Sequence, residues 1–258
     1  MPRANRQFIP GLNWHITHRC HNRKFLLRFA RDRQRWLYWL FEAKKRHGLK
    51  ILNYALTSNH IHLLLQDGSH ETVISASMDL IAGRTAQEYN QRKKRRGAYW
   101  EDRYHATAIE SGSHLIHCMI YIDLNMVRAG VVKHPKEWPF CGFNEIQNPR
   151  QRYRIIHWPS LELHFDLKNR EELKQYYREC VENVLRKKEL DRDGRWSESV
   201  AVGSKEFVER TALDLGIKAK NRKVEEFLLG EEDSKMKTWI LHEEEGAYGC
   251  VFDPKKGF

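Results

Sequence analysis

The chain of 258 residues lacks paired cysteines and long apolar runs. Its five cysteines are scattered without C-x-x-C spacing, and their odd number suits no closed disulfide framework. No segment approaches the ~20 apolar residues that cross a bilayer, and the first residues, MPRANRQFIPG, lack the apolar core of a secretory signal. The sequence therefore predicts a cytoplasmic protein without a membrane span, with reduced thiols at Cys20, Cys118, Cys141, Cys180 and Cys250.

The charge balance is strongly basic. Lysine and arginine number 45 against 34 aspartates and glutamates, a net charge of +11, and the isoelectric point is about 9.4. Such a surface favours a polyanionic partner, with nucleic acid as the leading candidate and an anionic membrane surface as the weaker one. The length accommodates one medium-sized domain and an appendage.

The hydrophobic periodicity predicts an α+β domain, a ferredoxin-like antiparallel sheet with helices packed on it, over residues 1–147. Its predicted elements are strand 12–20, helix 25–47, strands 49–56 and 60–67, helix 71–92, strand 104–111 and helix 113–129. Residues 148–258 are predicted to form a mostly helical C-terminal extension of unknown role, with helices near 169–190, 204–214 and 221–229. Gly216 between the last two is typical of a helix-turn-helix, but packing or dimer-covering roles are equally compatible with the mixed charges.

Two histidines lie two residues apart in the apolar segment TSNHIHLLL, residues 57–65. Side chains at this spacing share one face of a strand, so His60 and His62 can present ring nitrogens to one metal ion while Ile61 and Leu63 face the core. The alternative is that both imidazoles are half-buried and hydrogen-bonded to the backbone. The pair alone does not decide between these interpretations.

A third ligand and a nucleophile are available one helical turn apart. Tyr121 and Asn125 share a face of helix 113–129. A carboxamide and two neutral imidazoles leave the charge of Mg²⁺ or Mn²⁺ uncompensated, so the ion would polarise a phosphate beside the tyrosine hydroxyl. The alternative for Tyr121 is a packed aromatic side chain.

Several blocks resemble a known family and occur in order between about residues 8 and 145: IPGLNWHITHRC, NHIHLLL, WEDRYHA, YIDLNMVRAGVV and WPF. The segment NHIHLLL resembles the His-hydrophobic-His (HUH) motif of the single-tyrosine transposases. The segment YIDLNMVRAGVV resembles the Y-I-x-x-N-P-V-R-A-G block of their REP-associated branch. Met126 replaces the usual proline, which would let the helix continue through residue 129.

The resemblance implies a fold, an activity and a set of site residues. The fold is that of the HUH endonucleases, His60, His62 and Asn125 bind Mg²⁺ or Mn²⁺, and Tyr121 is the nucleophile. The implied enzyme cleaves and rejoins single-stranded DNA beside hairpin (REP-like) repeats through a 5′-phosphotyrosine, and it works as a homodimer. The absence of a G-x-x-x-x-G-K-[S/T] phosphate loop agrees with chemistry that needs no ATP.

Two other functions remain open from the residues. One is a hairpin-binding nucleic-acid protein without transposition activity, and the other is a phosphoesterase that uses water as its nucleophile. Glu110 and Asp123 are candidate bases for Tyr121, although a surface carboxylate is the simpler interpretation of each.

A basic run follows the second predicted helix and predicts phosphate contacts. Aromatic residues after it are suited either to stacking on unpaired bases or to the core. The predicted nucleic-acid-binding residues are Arg92, Lys93, Lys94, Arg95, Arg96, Trp100 and Arg103.

Overall fold

A computed structural model describes residues 8–68, 72–188, 190–216, 222–227 and 237–243. Four of the five cysteines lie within these ranges and are free thiols, as predicted, whereas Cys250 lies outside them. None of the helices in the described ranges is long and apolar enough to span a bilayer.

Strands and helices both occur in the N-terminal and C-terminal parts of the described residues. The strands are β1 Asn13–Arg19, β2 Lys50–Leu56, β3 His60–Gln66, β4 His105–Ile109, β5 Ala201–Gly203, β6 Arg222–Phe227 and β7 Thr238–Glu243. The helices are α1 Ala30–His47, α2 Val73–Arg92, α3 Ser113–Asp123, α4 Asn125–Arg128, α5 Gly142–Gln147, α6 Trp158–Phe165, α7 Arg170–Lys187, α8 Arg195–Glu198 and α9 Lys205–Leu215. Two short 3₁₀ helices cover His21–Arg23 and Pro135–Glu137.

The strands form one sheet in the order β2-β3-β1-β4-β5-β7-β6. Its first four strands pair antiparallel, and α1 and α2 lie between them in the chain, which is the β-α-β-β-α-β arrangement of a ferredoxin-like domain. The α+β prediction is therefore confirmed, and every predicted strand of residues 1–147 is present.

The hairpin β2–β3 places the two histidines at the start of its second strand. The hydroxyl of Thr57 accepts hydrogen bonds from the backbone N–H groups of Asn59 and His60, at 3.2 and 3.0 Å, and so closes the turn. Ile61 and Leu63 are fully buried on the opposite face from His62, as the alternation predicted.

The predicted helix over 113–129 is interrupted, so the expectation that Met126 lets it continue is wrong. Leu124 has a ψ of 1° and separates α3 from α4. The carbonyl of Tyr121 accepts a hydrogen bond from the Arg128 guanidinium, one turn beyond the break. The break leaves Tyr121 at the end of one helix and Asn125 at the start of the next.

The C-terminal segment extends the sheet, which the sequence did not predict. β5 pairs in parallel with β4, and β7 pairs antiparallel with β5. The predicted helix near 221–229 is wrong within the described residues, since 222–227 form strand β6 paired with β7. A second helix after Gly216 is thereby excluded over those residues, and the helix-turn-helix interpretation is wrong.

The helices predicted near 169–190 and 204–214 are present as α7 and α9. On α7, the hydroxyl of Tyr177 donates a hydrogen bond of 2.6 Å to the carboxylate of Asp123, the last residue of α3. The C-terminal segment is thus bonded to the predicted domain through buried groups as well as through the sheet. A domain boundary at residue 147 stays a prediction.

Candidate active site

The site is built around His62, which is 3 % exposed on β3. Its Nδ1 lies 3.0 Å from Nε2 of His15 on β1, and its Nε2 lies 2.9 Å from the Asn125 carboxamide at the start of α4. The other ring nitrogen of His15, Nδ1, lies 2.6 Å from the carbonyl oxygen of Trp196 in α8. Three elements of the ferredoxin-like domain and one element of the C-terminal segment therefore meet around the His15–His62 pair.

His60 lies beside His62 on the same face of β3. The two ring centroids are 4.9 Å apart and the rings are nearly perpendicular. Nδ1 of His60 is 2.7 Å from Oδ1 of Asn59 and 2.9 Å from Oγ1 of Thr57, both in the hairpin turn. The turn that fixes the strand register therefore also orients this ring.

Both imidazoles are neutral at physiological pH. Burial, together with a smaller repulsion from the guanidinium groups of Arg19, Arg128 and Arg192, lowers the pKa of His60 to about 4. Burial, together with its histidine neighbours, holds the pKa of His62 well below the usual range. A neutral imidazole offers a nitrogen lone pair, so both rings are in the state that binds a metal ion.

The residues fit a divalent cation. The predicted ligands His60, His62 and Asn125 converge, and the arginines around them leave a positive surrounding that suits a phosphate rather than a fourth anionic ligand. In the part of the chain that the structure describes, no cluster of three or more His, Cys, Asp and Glu side chains is arranged to hold a metal. A metal site here therefore depends on the carboxamide of Asn125.

Tyr121 lies next to these candidate ligands at the end of α3. Its ring centroid is 5.9 Å from that of His62, and Arg128 lies over the ring at 4.1 Å from its centroid. Burial raises the pKa of the Tyr121 hydroxyl, while the Arg128 guanidinium and a hydrogen bond from the Ser197 side chain lower it in part. The arrangement brings the predicted nucleophile and the three predicted ligands together.

The two carboxylates considered as bases have structural partners. Asp123 is buried rather than solvated, and its carboxylate accepts hydrogen bonds from the Phe143 backbone N–H and the Tyr177 hydroxyl. Glu110 accepts from the backbone N–H and the hydroxyl of Ser204, ahead of α9. Both carboxylates bond the ferredoxin-like domain to elements later in the chain. The prediction that Asp123 is a surface carboxylate is wrong, because it is buried.

Sequence reasoning missed His15, Trp196 and Ser197. A signal existed for His15, because the polar residues Asn13, His15 and Thr17 alternate along β1 in the same way as the two histidines of β3. No local pattern marks Trp196 or Ser197, since a four-residue helix carries little periodicity.

The predicted nucleic-acid-binding residues fall into two groups in the structure. Arg92 forms an ion pair with the buried Asp32, and Arg95 donates to the Ala98 carbonyl at 2.7 Å. Trp100 donates through Nε1 to the Ala82 carbonyl at 3.0 Å, and its ring stacks on His18 at 4.1 Å between centroids. The remaining four residues, Lys93, Lys94, Arg96 and Arg103, are exposed to solvent, and Arg92 is also exposed despite its ion pair.

Comparison with known proteins gives a family for the N-terminal part of the chain. Residues 9–125 match the family described as "Transposase IS200 like", which is somewhat less than half of the chain. No curated protein matches the chain. The matched residues include every predicted ligand and Tyr121, and the resemblance to single-tyrosine transposases is confirmed over this range.

Two solved structures are similar at low identity. A REP-associated tyrosine transposase bound to a REP hairpin is 21 % identical, with a TM-score of 0.47, and the match covers 56 % of this chain and 84 % of that one. A chain from Deinococcus radiodurans assigned as a transposase is 14 % identical, with a TM-score of 0.34, and the match covers 50 % and 97 %.

Proposed function

From the match of residues 9–125 to the IS200-like transposase family, we propose that this chain is a metal-dependent single-stranded DNA transesterase. It cleaves and rejoins DNA beside hairpin repeats through a 5′-phosphotyrosine. The observation that carries the proposal is the placement of the Tyr121 ring 5.9 Å from His62, whose Nε2 faces Asn125. The proposed ligands and the proposed nucleophile are therefore neighbours, which supports the proposal.

The side chains of the site would hold and polarise a phosphodiester. When bound by His60, His62 and Asn125, Mg²⁺ or Mn²⁺ supplies positive charge to the scissile phosphate. Arg19, Arg128 and Arg192 add positive charge around His60, as their effect on its pKa indicates. A phosphate is attracted to this position by both contributions.

Tyr121 then exchanges one phosphodiester bond for another. Its Oη forms the new bond to phosphorus as the bond to the 3′ oxygen breaks, and the proton leaves with the 3′-hydroxyl. Arg128 over the ring and the hydroxyl of Ser197 stabilise the phenolate as the proton is lost. Rejoining is the reverse attack by a 3′-hydroxyl on the phosphotyrosine, so the cycle consumes no ATP.

The test is formation of a covalent protein–DNA adduct. Single-stranded oligonucleotides containing hairpins from the repeats that flank the gene are incubated with the protein and separated on a denaturing gel. We expect an adduct with Mn²⁺ and none with EDTA. An adduct that forms equally in EDTA contradicts the metal dependence, and hairpin binding without any adduct supports the binding-protein alternative instead.

The exposed basic side chains of the 92–96 segment are expected to contact DNA phosphates. The double substitution Lys94→Ala/Arg96→Ala should weaken hairpin binding at all sequences. It should reduce the slope of log affinity against log salt by about 1.4, at about 0.7 per lost single-strand contact. Fluorescence anisotropy over a salt series measures both effects.

The control for these substitutions removes the same charge elsewhere. Asp32, the ion-pair partner of Arg92, and Lys45 both belong to α1. They are 13 residues apart, which separates them by roughly 20 Å along the helix. Lys168 precedes α7, and both lysines are exposed. Equal loss of slope in Lys45→Ala/Lys168→Ala would mean that net charge, and not the 92–96 segment, determines the affinity.

A further inference from the structure

His15 has no place among the predicted ligands, although it is fully buried against one of them. We propose that His15 is a positioning residue that holds His62 in the tautomer whose Nε2 can bind a divalent cation. We also infer that the carbonyl of Trp196 fixes His15 in turn. The part of this inference that concerns metal binding rests on the proposed function. The part that concerns the tautomer of His62 rests on the directions of the hydrogen bonds.

The direction of the chain of hydrogen bonds is set at Trp196. A carbonyl oxygen can only accept, so Nδ1 of His15, 2.6 Å away, must carry the hydrogen. His15 is fully buried, and its two ring nitrogens face a carbonyl and another imidazole rather than a carboxylate, so the neutral ring with one hydrogen is the form that fits this environment. Nε2 of His15 is therefore an acceptor.

The acceptor on His15 determines the tautomer of His62. Nδ1 of His62 lies 3.0 Å from this acceptor and must donate to it. The other nitrogen, Nε2, lies 2.9 Å from Nδ2 of Asn125, which can only donate, so the lone pair of the ring is on Nε2. Without His15, the ring is free to place its hydrogen on Nε2 and to donate it to the carboxamide oxygen of Asn125.

His60 reaches the same state through a separate set of bonds. Nδ1 of His60 donates to Oδ1 of Asn59, whose amide is oriented because its Nδ2 donates to the Arg23 carbonyl at 3.2 Å. Both imidazoles therefore present Nε2 lone pairs on one face of β3. For His60 the orienting group comes from the turn, and for His62 it comes from another strand and from the C-terminal segment.

The dependence on Trp196 connects the C-terminal segment to the chemistry. The family match ends at residue 125, whereas the carbonyl that orients His15 belongs to α8. The same short helix supplies Ser197 to the hydroxyl of Tyr121. A group that orients a ligand histidine raises metal affinity, and its loss typically costs 10–100-fold.

The test compares His15→Phe with His105→Phe. His105 lies on the same face of the sheet as His15, and its ring bonds to the Ser199 carbonyl at 2.8 Å. Strand β1 separates it from His62, because Thr17 of β1 pairs with His62 of β3 on one side and with His105 of β4 on the other. We expect His15→Phe to weaken Mn²⁺ binding about 10–100-fold in calorimetry, and His105→Phe to leave it unchanged. His15→Gln, whose Oε1 can accept from His62, should restore most of the affinity.

A second measurement is independent of metal and of activity. Long-range ¹H–¹⁵N NMR of the metal-free protein reports which nitrogen of His62 carries the hydrogen, and circular dichroism checks that each variant is folded. Nδ1–H in the wild type and Nε2–H in His15→Phe support the inference. Nε2–H in the wild type, or wild-type Mn²⁺ affinity in folded His15→Phe, overturns it. Absence of Mn²⁺ binding by the wild type contradicts the proposed metal dependence instead, and the NMR result then decides the role of His15.

Discussion

The substitution Tyr121→Phe is expected to abolish the covalent protein–DNA adduct. The hydroxyl oxygen is the proposed attacking atom, and its loss should lower the rate of cleavage by at least about 10³-fold. The aromatic ring stays in place, because its contacts with the Arg128 guanidinium and the His62 ring do not involve the hydroxyl. The measurement is the amount of protein–oligonucleotide adduct on a denaturing gel with Mn²⁺.

Tyr54→Phe is the matched control. Tyr54 is a fully buried tyrosine of β2 whose hydroxyl donates to the Glu145 carboxylate at 3.3 Å, and it has no proposed part in the reaction. It should form the adduct at the wild-type level. An undiminished adduct in Tyr121→Phe contradicts the assignment of the nucleophile. Cleavage without an adduct in that variant supports the phosphoesterase that uses water.

The substitution Trp196→Ala is expected to destabilise the protein by about 3–5 kcal/mol, the usual cost of removing a buried tryptophan. The side chain is 2 % exposed; its ring centroid lies 6.3 Å from that of Tyr121, and the guanidinium of Arg195 lies over the ring at 4.7 Å. The cavity would open directly beside the proposed nucleophile. Urea unfolding followed by tryptophan fluorescence and circular dichroism measures the change in free energy.

Trp196→Phe keeps an aromatic ring in the same position and should cost less than half as much. Limited proteolysis gives a second readout, because loss of this anchor should expose the segment after residue 190 to cleavage. Full stability in Trp196→Ala would mean that α8 does not pack on the sheet in solution. That result would leave the C-terminal segment without the packing role that the structure assigns to it.

The local parts of the site were predictable from sequence. Alternation of apolar and polar residues identifies β3, and alternation alone places His60 and His62 on one face. Helical spacing places Tyr121 and Asn125 on one side of their segment, and this held although Leu124 interrupts the helix. These relations depend on residues within a few positions of one another, so the backbone period is sufficient to establish them.

The errors arose where a partner distant in the chain decides the structure. Residues 222–227 contain charged side chains that are compatible with a helix, and they form a strand because β7, more than ten residues later, offers an edge to pair with. Asp123 resembles a surface carboxylate in sequence, and it is buried because Tyr177, 54 residues later, donates to it.

The sequence by itself determined the basic character and the α+β class, and it placed the proposed ligand pair on one strand face and the proposed nucleophile one helical turn from Asn125, because each follows from residue type and short-range period. Only the tertiary structure decided that Asn125 reaches His62, that His15 lies behind it and that Trp196 completes the hydrogen-bonded chain. His15 and Trp196 are 181 positions apart. Contacts over such separations are set by sheet order and by the packing of α8, which no local pattern encodes.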